Sequence, residues 1–446
     1  MKYKILFPVE TTTRELSYKL LLSARFAALG HECYVGSKSE ISRLFEAVSP
    51  FVYFDKGYHK GVSEQIYANV KKHGGLIVNL DEEGGVDFAD NSTILNRYAD
   101  EVFALCDLVF LWGRKQYDFL KSNKAEFRDD KVIVTGHPRF ELLKESYHYL
   151  YEKEAERLRR TYGDYILVCT NMGFGNNIRG DDFVRTNYGS RIRLIEEMIA
   201  FDKLKVASYV SMVRRLSSLS ACNIVLRPHP EETMDAYRKP LAGIKNVSVI
   251  YENSVIPWIA GSKVMIHPDC TTGIEATMYG KTAISYLPQA SGESSTVTVL
   301  PVKLSYCFQR EDELIAFLLN DGHHVDTHES ITSQLLNDFF SFQNDSADMI
   351  VQTVIELLDG QTARHPAGSP ANGFPGNNKW IALLKGIYHA VSGSKAGLLT
   401  DHKLKGLNMD AINALLAGFK SVMPGVVRGV KVVKMNDGLF KLWCQE

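Results

Sequence analysis

The feature that most constrains the fold is a regular alternation of short apolar runs with longer amphipathic segments. The apolar runs of the first third of the chain are rich in Val, Ile and Leu, and they cover 4–9, 32–36, 51–54, 76–80, 108–112 and 132–136. Helical periodicity occupies the stretches between them, near 14–29, 62–72, 96–105 and 114–123. Such alternation is typical of right-handed βαβ units that form a parallel sheet. The pattern therefore predicts an α/β fold.

A second series of the same kind follows, after a charged helical run at 143–163 that we interpret as a connection. Its apolar runs are 165–170, 223–227, 247–251, 264–267 and 282–287, and its helices are expected near 192–218, 232–239 and 272–279. Two such series predict two facing Rossmann-like domains, 1–137 and 138–360, with a ligand-binding cleft between them.

The remainder, 361–446, is predicted to be a C-terminal extension whose role the sequence leaves open. A loop rich in Gly, Pro and Asn covers 365–378, and helices are expected near 379–391 and 408–420. The dipeptide Asp437-Gly438 favours a hairpin turn. From 379 onward, ten Lys and Arg face four Asp and Glu. That excess fits either an ordinary solvated surface or contact with anionic lipid.

Composition excludes several classes of protein. The chain has 446 residues, 45% of them hydrophobic, and a formal net charge of −1, so no overall basic field attracts nucleic acid. The seven cysteines are scattered without a CxxC pair, which predicts buried free thiols in a reducing compartment. No apolar stretch is as long as a signal peptide or a membrane span requires. We therefore expect a cytoplasmic protein, with peripheral membrane contact through its basic C-terminal region as one interpretation.

The first candidate site is acidic and follows the predicted strand 76–80. Asp81, Glu82 and Glu83 are adjacent there, and Gly84 and Gly85 allow a tight turn. Neighbouring carboxylates repel each other, and burial of one would raise its pKa toward that of a general base. The alternative is an acidic turn or a helix cap.

The second candidate site follows the predicted strand 223–227. Arg227, Pro228, His229 and Pro230 form a turn in which two prolines restrict the backbone and fix the imidazole. A positioned His and Arg suit a phosphate or a departing phosphate oxygen. The alternative is a proline-rich connector with a structural histidine.

The third candidate site follows the predicted strand 264–267. Thr271, Thr272 and Gly273 begin a helix, and the hydroxyls and backbone N–H groups of a helix N-terminus can hold an anion. Glu275 lies one turn further and could accept ribose hydroxyls, although an ordinary threonine cap explains the hydroxyls equally well. The glycine-rich loop 171–177, which starts at Asn171, follows another strand and could approach the ligand closely.

Other histidines are given structural roles. His31 precedes a strand and is expected to be structural, and His137 is expected to act in a hinge or in packing. No group of His, Cys and carboxylate residues has metal-ligand spacing, so the predicted reaction is metal-independent.

Together these motifs resemble those of a known group of enzymes. The DEEG run at 81–84 followed by His229-Pro230 resembles the paired motifs of bacterial sialyltransferases and polysialyltransferases, and the runs starting at Gly136 and Asp269 are similar to surface carbohydrate biosynthesis proteins and β-Kdo transferases. The resemblance covers about 1–360. It implies a GT-B fold, a CMP-activated donor, an acidic general base, and phosphate contacts from His229 and from Thr271-Thr272.

One departure from this resemblance concerns the reaction course. As the resemblance implies, retaining β-Kdo transferases carry a carboxylate nucleophile after the first strand of the second domain. Here that loop reads NMGFGNN, and the nearest carboxylates are Asp181 and Asp182. Direct inverting attack, with Glu82 or Glu83 as base, fits the loop better.

The prediction is therefore a glycosyltransferase that moves Kdo or a sialic-acid-like sugar from a CMP-linked donor to a glycan or glycolipid acceptor of the cell surface. We expect no cofactor other than the nucleotide-sugar donor. Three alternatives stay open: a CDP-polyol phosphotransferase of the teichoic-acid type, a sugar-nucleotide 2-epimerase, and a non-catalytic scaffold. The acidic motif disfavours the phosphotransferase, whose chemistry leans on a histidine of the first domain.

Overall fold

The computed structural model describes residues 2–84, 87, 91–189, 192, 194–288, 297–320, 326–362, 404 and 406–444. The chain divides into two compact units. Unit 1 comprises Met1–Glu83, Arg97–Leu142 and Phe339–Glu446, and unit 2 comprises Gly84–Asn96 and Leu143–Asp338. The possible helix at 379–391 and the loop at 365–378 lie outside the described residues.

Unit 1 contains an eight-stranded sheet. Six strands come from the first third of the chain: β1 (Lys4–Val9), β2 (Glu32–Ser37), β3 (Val52–Asp55), β4 (Leu76–Leu80), β5 (Leu108–Leu111) and β6 (Val132–Val134). A C-terminal hairpin of β13 (Val430–Asn436) and β14 (Leu439–Cys444) completes it, in the order β13-β14-β2-β1-β3-β4-β5-β6. The first six strands pair in parallel, and β14 joins β2 antiparallel.

The helices of the first part of the chain are short except for the first. They are α1 (Thr12–Ala28), α2 (Lys38–Arg43), α3 (Ser63–Lys72), α4 (Ser92–Arg97), α5 (Asp100–Leu105), α6 (Arg114–Asn123) and α7 (Pro138–Glu141). Because β1 to β6 are apolar on both faces, helices must cover the sheet on both sides. Helix α1 is buried along most of its length, since it packs against β1 and also against helices from the C-terminal part of unit 1.

Unit 2 contains a six-stranded parallel sheet. Its strands are β7 (Tyr165–Cys169), β8 (Asn223–Arg227), β9 (Val247–Val249), β10 (Met265–His267), β11 (Ala283–Tyr286) and β12 (Tyr306–Phe308), in the order β12-β11-β10-β7-β8-β9. Its helices are α8 (Tyr149–Tyr162), α9 (Asp181–Tyr188), α10 (Ile195–Leu219), α11 (Asp235–Arg238), α12 (Ile256–Gly261), α13 (Thr271–Met278), α14 (Val299–Lys303) and α15 (Glu311–Leu319). The apolar core lies between this sheet and α10.

The last helices return the chain to unit 1. After α16 (Asp326–Phe340) come α17 (Ser346–Thr362), α18 (Met409–Val422) and the short α19 (Pro424–Val427). Helices α17, α18 and α19 all pack against α1. Among the described residues, no helix is both long and apolar enough to cross a membrane.

The predicted fold class is confirmed, because two sheets, one parallel and one parallel except for its C-terminal hairpin, are covered by helices and form two Rossmann-like units. The charged run at 143–163 is helical as expected: it makes a short 3₁₀ turn and α8, whose Ala155 and Leu158 are buried and which packs on α12. In other details the structure differs from the sequence pattern. The helix expected at 232–239 is limited to the four residues of α11. The residues before α11 belong to the turn after β8, which is bonded to the loop after β7 as described below. The hairpin turn at Asp437-Gly438 is present.

Candidate functional site

The acidic motif follows β4 and holds three carboxylates in three different environments. Asp81 is buried, and the Arg97 guanidinium donates to it through Nε at 2.9–3.0 Å and through Nη2 at 2.7 Å. The Asp81 carbonyl accepts a bond from Trp112 Nε1 at 2.7 Å, and its carboxylate accepts from the Glu83 backbone N–H at 2.8 Å. Asp81 is therefore fully engaged in fixing the turn.

Glu82 is buried, and one of its two carboxylate oxygens accepts no hydrogen bond from a described residue. Tyr18 donates its hydroxyl to Oε1, and Lys19 Nζ lies 3.9 Å from the same oxygen. Oε2 has no hydrogen-bond partner among the described residues. Burial and the neighbouring charge of Glu15 raise the pKa of Glu82 above its usual range. A buried carboxylate with one unpaired oxygen and a raised pKa has the properties of a proton acceptor.

The charge around Glu82 is set by a buried ion network from α1. Glu15 is fully buried and accepts from Lys19 Nζ at 2.7 Å and from Lys56 Nζ at 3.2 Å. Burial opposes ionisation of Glu15, but the two lysines and the backbone N–H of Glu10 lower its pKa to about 2. Glu15 is therefore anionic, and its charge disfavours a second anion at Glu82.

Glu83 is half-exposed and lies between two guanidinium groups. Arg14 Nη1 is 3.1 Å from Oε1, and Arg97 Nη1 is 3.0 Å from Oε2. Partial burial works against ionisation, but the charges of Arg97 and Arg14 lower the pKa of Glu83 below its usual range. A carboxylate held in two ion pairs is a weak base, so the geometry favours Glu82 over Glu83 as proton acceptor.

The other candidate residues come together within unit 2 at one edge of its sheet. Strands β10, β7 and β8 are neighbours and pair in parallel, so their carboxyl ends meet at the same edge. The segment after β10 carries the α13 tip, the segment after β7 is the loop 171–177, and the segment after β8 is the His229 turn. This edge is where open α/β sheets bind ligands.

The turn after β8 is organised by Glu232, a buried residue that sequence reasoning missed. Its carboxylate accepts the His229 backbone N–H at 3.0 Å and the Thr170 hydroxyl at 2.6 Å, and it also accepts the Tyr237 hydroxyl. Asn176 adds a bond at 3.3 Å. Glu232 therefore ties the His229 turn to the loop after β7. The only sequence signal was a second carboxylate after His229-Pro230.

The orientation of His229 follows from its own turn. The Glu231 backbone N–H donates to Nδ1 at 3.3 Å, so the neutral imidazole carries its proton on Nε2. Gly173 lies beside the ring, since a Cβ there would be 4.0 Å from Nδ1. His229 is partly exposed, as is Asn171, and Pro230 is exposed. The imidazole is thus held on a rigid turn with Nε2 as the donor.

Arg227 is buried at the end of β8 and is engaged within its own unit. Its guanidinium donates to the carbonyl oxygens of Glu252 at 2.6 Å and Asn253 at 3.1 Å, and it lies about 5 Å from the rings of Tyr251 and Trp258. Burial lowers its pKa from the usual value. Contact of Arg227 with a phosphate stays a prediction, and these carbonyl bonds give it a positioning role as well.

The tip of α13 is packed tightly on a buried histidine. A Cβ on Gly273 would lie 2.2 Å from His267 Nε2, so only glycine fits this approach. His267 donates from Nε2 to Ser305 Oγ at 2.8 Å, because the Ser305 hydroxyl donates in turn to the Pro301 carbonyl. Burial lowers the pKa of His267 to about 3. The imidazole is therefore neutral and acts as a fixed support for the helix tip.

The threonines of the α13 tip are partly exposed, whereas Glu275 is buried. Thr271 begins the helix, and the Thr272 hydroxyl lies 2.6 Å from Cys270 Sγ. Thr271 and Thr272 are thus accessible to a ligand at the helix N-terminus, where the helix dipole favours an anion. Contact of Glu275 with a ribose stays a prediction.

A buried lysine links the loop after β7 to the α13 tip, and sequence reasoning missed it. Asp202 on α10 accepts the backbone N–H groups of Phe174 at 2.9 Å and Gly175 at 3.2 Å, and it pairs with Lys205 at 2.8 Å. Lys205 Nζ also lies 3.9 Å from Asp269, just before α13. Asp202, Lys205 and Asp269 are all at most 5% exposed. In the sequence, Asp202 and Lys205 are two charged residues of an amphipathic helix, a pattern that is also typical of a solvent-exposed face.

The two histidines expected to be structural are packed among aromatic rings. His31 is buried, lies 5.2 Å from the Tyr3 ring and accepts the Tyr3 backbone N–H. His137 caps α7 through its Nδ1 and lies between the rings of Tyr18 and Trp112. In the described part of the chain, no three His, Cys, Asp or Glu side chains are grouped to hold a metal ion.

Comparison with known proteins gives structural similarity alone. No protein-family model and no curated protein sequence matches the chain. The fold is similar to that of a UDP-GlcNAc 2-epimerase from Neisseria meningitidis bound to UDP-GlcNAc, with a TM-score of 0.52 and 13% identity over 80% of this chain and 100% of the other. A structure assigned as a UDP-N-acetylglucosamine 2-epimerase from Listeria monocytogenes gives 0.51 and 12%, over 84% and 100%. The wall teichoic acid polymerase TagF gives 0.49 and 11%, over 81% and 90%.

These identities establish the fold and not the reaction. The first two structures are matched over their whole length. The chain therefore has a GT-B type of fold, built from two Rossmann-like units.

Proposed function

We propose that this protein is a metal-independent glycosyltransferase, which moves Kdo or a sialic-acid-like sugar from a CMP-linked donor to a hydroxyl of a surface glycan or glycolipid. Two observations support the proposal, one in each unit. One is a buried carboxylate with a raised pKa and an oxygen that accepts no hydrogen bond from a described residue, Glu82. The other is a fixed imidazole, His229, at the carboxyl edge of a nucleotide-binding type of sheet.

Unit 2 would hold the donor. The threonine hydroxyls and the backbone of the α13 tip would bind the donor phosphate, since a helix N-terminus favours an anion. His229 would donate from Nε2 to the phosphate oxygen that leaves, which stabilises the developing charge in the way a metal ion does in other transferases. Asn171 and Gly173, on the loop beside His229, would contact the donor from the neighbouring strand end.

Unit 1 would take the proton of the acceptor. In an inverting reaction, the acceptor oxygen forms a bond to the anomeric carbon while the bond from that carbon to the phosphate oxygen breaks. The acceptor proton passes to Glu82, and CMP leaves with the bonding electron pair. The loop 171–177 contains no carboxylate, and Asp181 and Asp182 lie beyond it in α9, so this loop supplies no nucleophile for an enzyme-bound sugar.

The test begins with the base of the nucleotide. Thermal shifts with CMP, CDP, UDP and GDP should show selective stabilisation by CMP, because binding to the folded state alone raises its stability. A response confined to UDP, with isomerisation of a UDP-sugar and no acceptor, would instead identify an epimerase. A product that retains the donor's phosphorus would identify a polyol phosphotransferase, and a flat response to all four would favour a scaffold.

Transfer is then measured as CMP release that depends on an acceptor. His229→Ala removes the proposed donor to the leaving oxygen and should reduce kcat by about 10²–10³-fold. His229→Gln is the matched variant, since its amide can still donate a hydrogen bond from the same turn, and it should recover part of the loss. Equal activity of wild type and His229→Ala would remove the leaving-group role while leaving nucleotide binding to be judged by the thermal shifts.

A further inference from the structure

A pocket of about 530 Å³ lies at the C-terminal end of α18, outside the groups described above. It is lined by residues of the α18–α19 junction and of the turn before β13: Lys420, Pro424, Gly425, Arg428 and Gly429. All five are exposed, so the pocket is open to solvent. Two of them are cations, and no lining residue is an acid.

Neither cation is neutralised in the described part of the chain. The other basic residues of this region include Lys441, which pairs with Glu32 at 2.8 Å, and Lys434, which pairs with Asp437. No such pair is formed by Lys420 or Arg428 with a described acidic side chain. Two like charges that line one pocket repel each other, and an anion placed between them removes that repulsion.

Ordinary structural roles explain only part of this arrangement. Lys420 lies in the last turn of α18, where a cation interacts favourably with the helix dipole. Lys431 and Lys434 are exposed on β13, the edge strand, where lysines hinder pairing with another chain. Arg428 lies on neither a helix end of useful length nor the strand itself. The helix-end and edge-strand roles therefore do not apply to Arg428, which lines the same pocket as Lys420.

The chemistry of the two side chains indicates the kind of anion. A guanidinium offers a planar fork of donors that matches two oxygens of a phosphate, and an ammonium adds a point charge. The segment that carries the pocket is basic in composition: across 406–444, five basic residues face Asp410 and Asp437, and they are Lys420, Arg428, Lys431, Lys434 and Lys441. A basic segment around an open pocket is suited to a membrane that carries anionic lipid.

We propose that this pocket binds the phosphate of an anionic membrane phospholipid and thereby holds unit 1 at the membrane surface. The purpose of this lipid binding rests on the proposed function, because a glycolipid that accepts the sugar is anchored in that membrane. Lipid binding itself does not depend on transfer, so the two can fail separately.

The experiment is sedimentation of the full-length protein with vesicles of phosphatidylcholine alone or mixed with phosphatidylglycerol. Wild type should bind only the mixed vesicles. Lys420→Gln/Arg428→Gln should bind them about tenfold more weakly than Lys431→Gln/Lys434→Gln, which removes the same charge outside the pocket and loses only the general attraction of each cation. Circular dichroism and thermal melting verify that both variants fold.

Three results would overturn the proposal. One is a wild-type protein that does not bind the mixed vesicles. Another is an equal loss of vesicle binding in the two double variants, which would show that net charge alone explains the binding. The third is stabilisation by millimolar inorganic phosphate that needs Lys420 and Arg428 while vesicles do not bind, since the site would then serve a free phosphate. Transfer to a soluble acceptor, measured on the same variants, should stay at the wild-type level. An absence of transfer in wild type that still binds vesicles would contradict the proposed function alone.

Discussion

Substitution of Gly273 by Ala tests the packing that supports the α13 tip. The new Cβ would lie 2.2, 2.3 and 2.7 Å from Nε2, Cε1 and Cδ2 of His267, where ordinary contacts begin at 3.4 Å. Because His267 is fully buried and bonded to Ser305, the ring cannot turn away without losing that bond. Either the helix tip or the imidazole must therefore move by roughly 1 Å.

The magnitude follows from three contributions. Overpacking of a close-packed interior costs about 2 kcal/mol, and a His267 imidazole deprived of its partner adds about 2 kcal/mol. The helical preference of Ala over Gly returns about 1 kcal/mol. We expect Gly273→Ala to lower the local stability by about 3 kcal/mol, and the displaced helix tip should also weaken the proposed binding of CMP.

Hydrogen exchange of the amides in β10 and α13 measures this loss directly, because it reports the opening free energy of one region. Gly360→Ala is the matched control: Gly360 lies within α17, and a Cβ there meets nothing within 4 Å. It should be neutral or slightly stabilising. The double variant Gly273→Ala/His267→Ala should lose less than the two single losses combined. A Gly273→Ala protein within about 0.5 kcal/mol of wild type would refute the steric argument.

Three further predictions concern ionisable side chains. Glu82→Gln should reduce kcat by about 10²–10⁴-fold with little change in KM, and Glu83→Gln should have a smaller effect; a larger loss in Glu83→Gln would transfer the role of base to that residue. The pKa of His267 is about 3 in the folded chain and about 6.5 when unfolded, so its contribution to stability is present above pH 6.5 and is lost as pH falls toward 3. Urea titrations should show about 2 kcal/mol of acid destabilisation at pH 5 that His267→Gln lacks, and an identical pH dependence in the two proteins would contradict it. Lys205→Met leaves Asp202 buried without its cation and should lower the stability of unit 2 by about 3–5 kcal/mol. Asp202→Asn in the same protein should partly restore that stability. An unchanged melting curve of Lys205→Met would show that the ion pair is dispensable.

The sequence pattern was sufficient for the fold and for the order of the motifs along it. Apolar runs at 76–80 and 223–227 are strands, and the residues that follow them lie at strand ends, because parallel sheets bury both faces and leave polar residues to the loops. The same reasoning located His229 and the start of α13. Each of these features is determined by residues that are close together in the sequence, so the sequence pattern was sufficient to predict it.

What the sequence could not give was the partner of each charged residue. Glu82 and Glu83 are adjacent, yet one contacts Tyr18 and the other Arg14, both more than 60 positions earlier. Glu232 resembled an exposed acid in a proline-rich turn, but it is buried and bonded to Thr170, which directly follows β7. Such pairings follow from strand order, which alternating apolar runs do not specify.

The docking of the C-terminal hairpin was hidden for the same reason. The dipeptide Asp437-Gly438 predicts the turn of the hairpin. The position of the hairpin beside β2, however, depends on a close contact with a residue near the start of the chain. A Cβ on Gly36 would lie 2.7 Å from the Gly438 carbonyl oxygen, so the edge of the first sheet accepts the hairpin only because residue 36 is glycine. In the sequence, Gly36 was merely the end of a strand.

The acidic motif shows how three identical charges acquire different chemistry. Asp81 receives a guanidinium and two backbone or indole N–H groups through its carboxylate and carbonyl, and it serves as a structural anchor. Glu83 receives two guanidinium groups and stays ionised. Glu82 alone is buried beside another anion, Glu15, with an oxygen that no described group satisfies. In the described part of the chain, Arg97 pairs with both Asp81 and Glu83 and Arg14 pairs with Glu83, whereas the charged contact of Glu82 is Lys19 at 3.9 Å. The motif thus separates the residue that fixes the turn from the residue that can accept a proton, as the proposed transfer requires of its acceptor side.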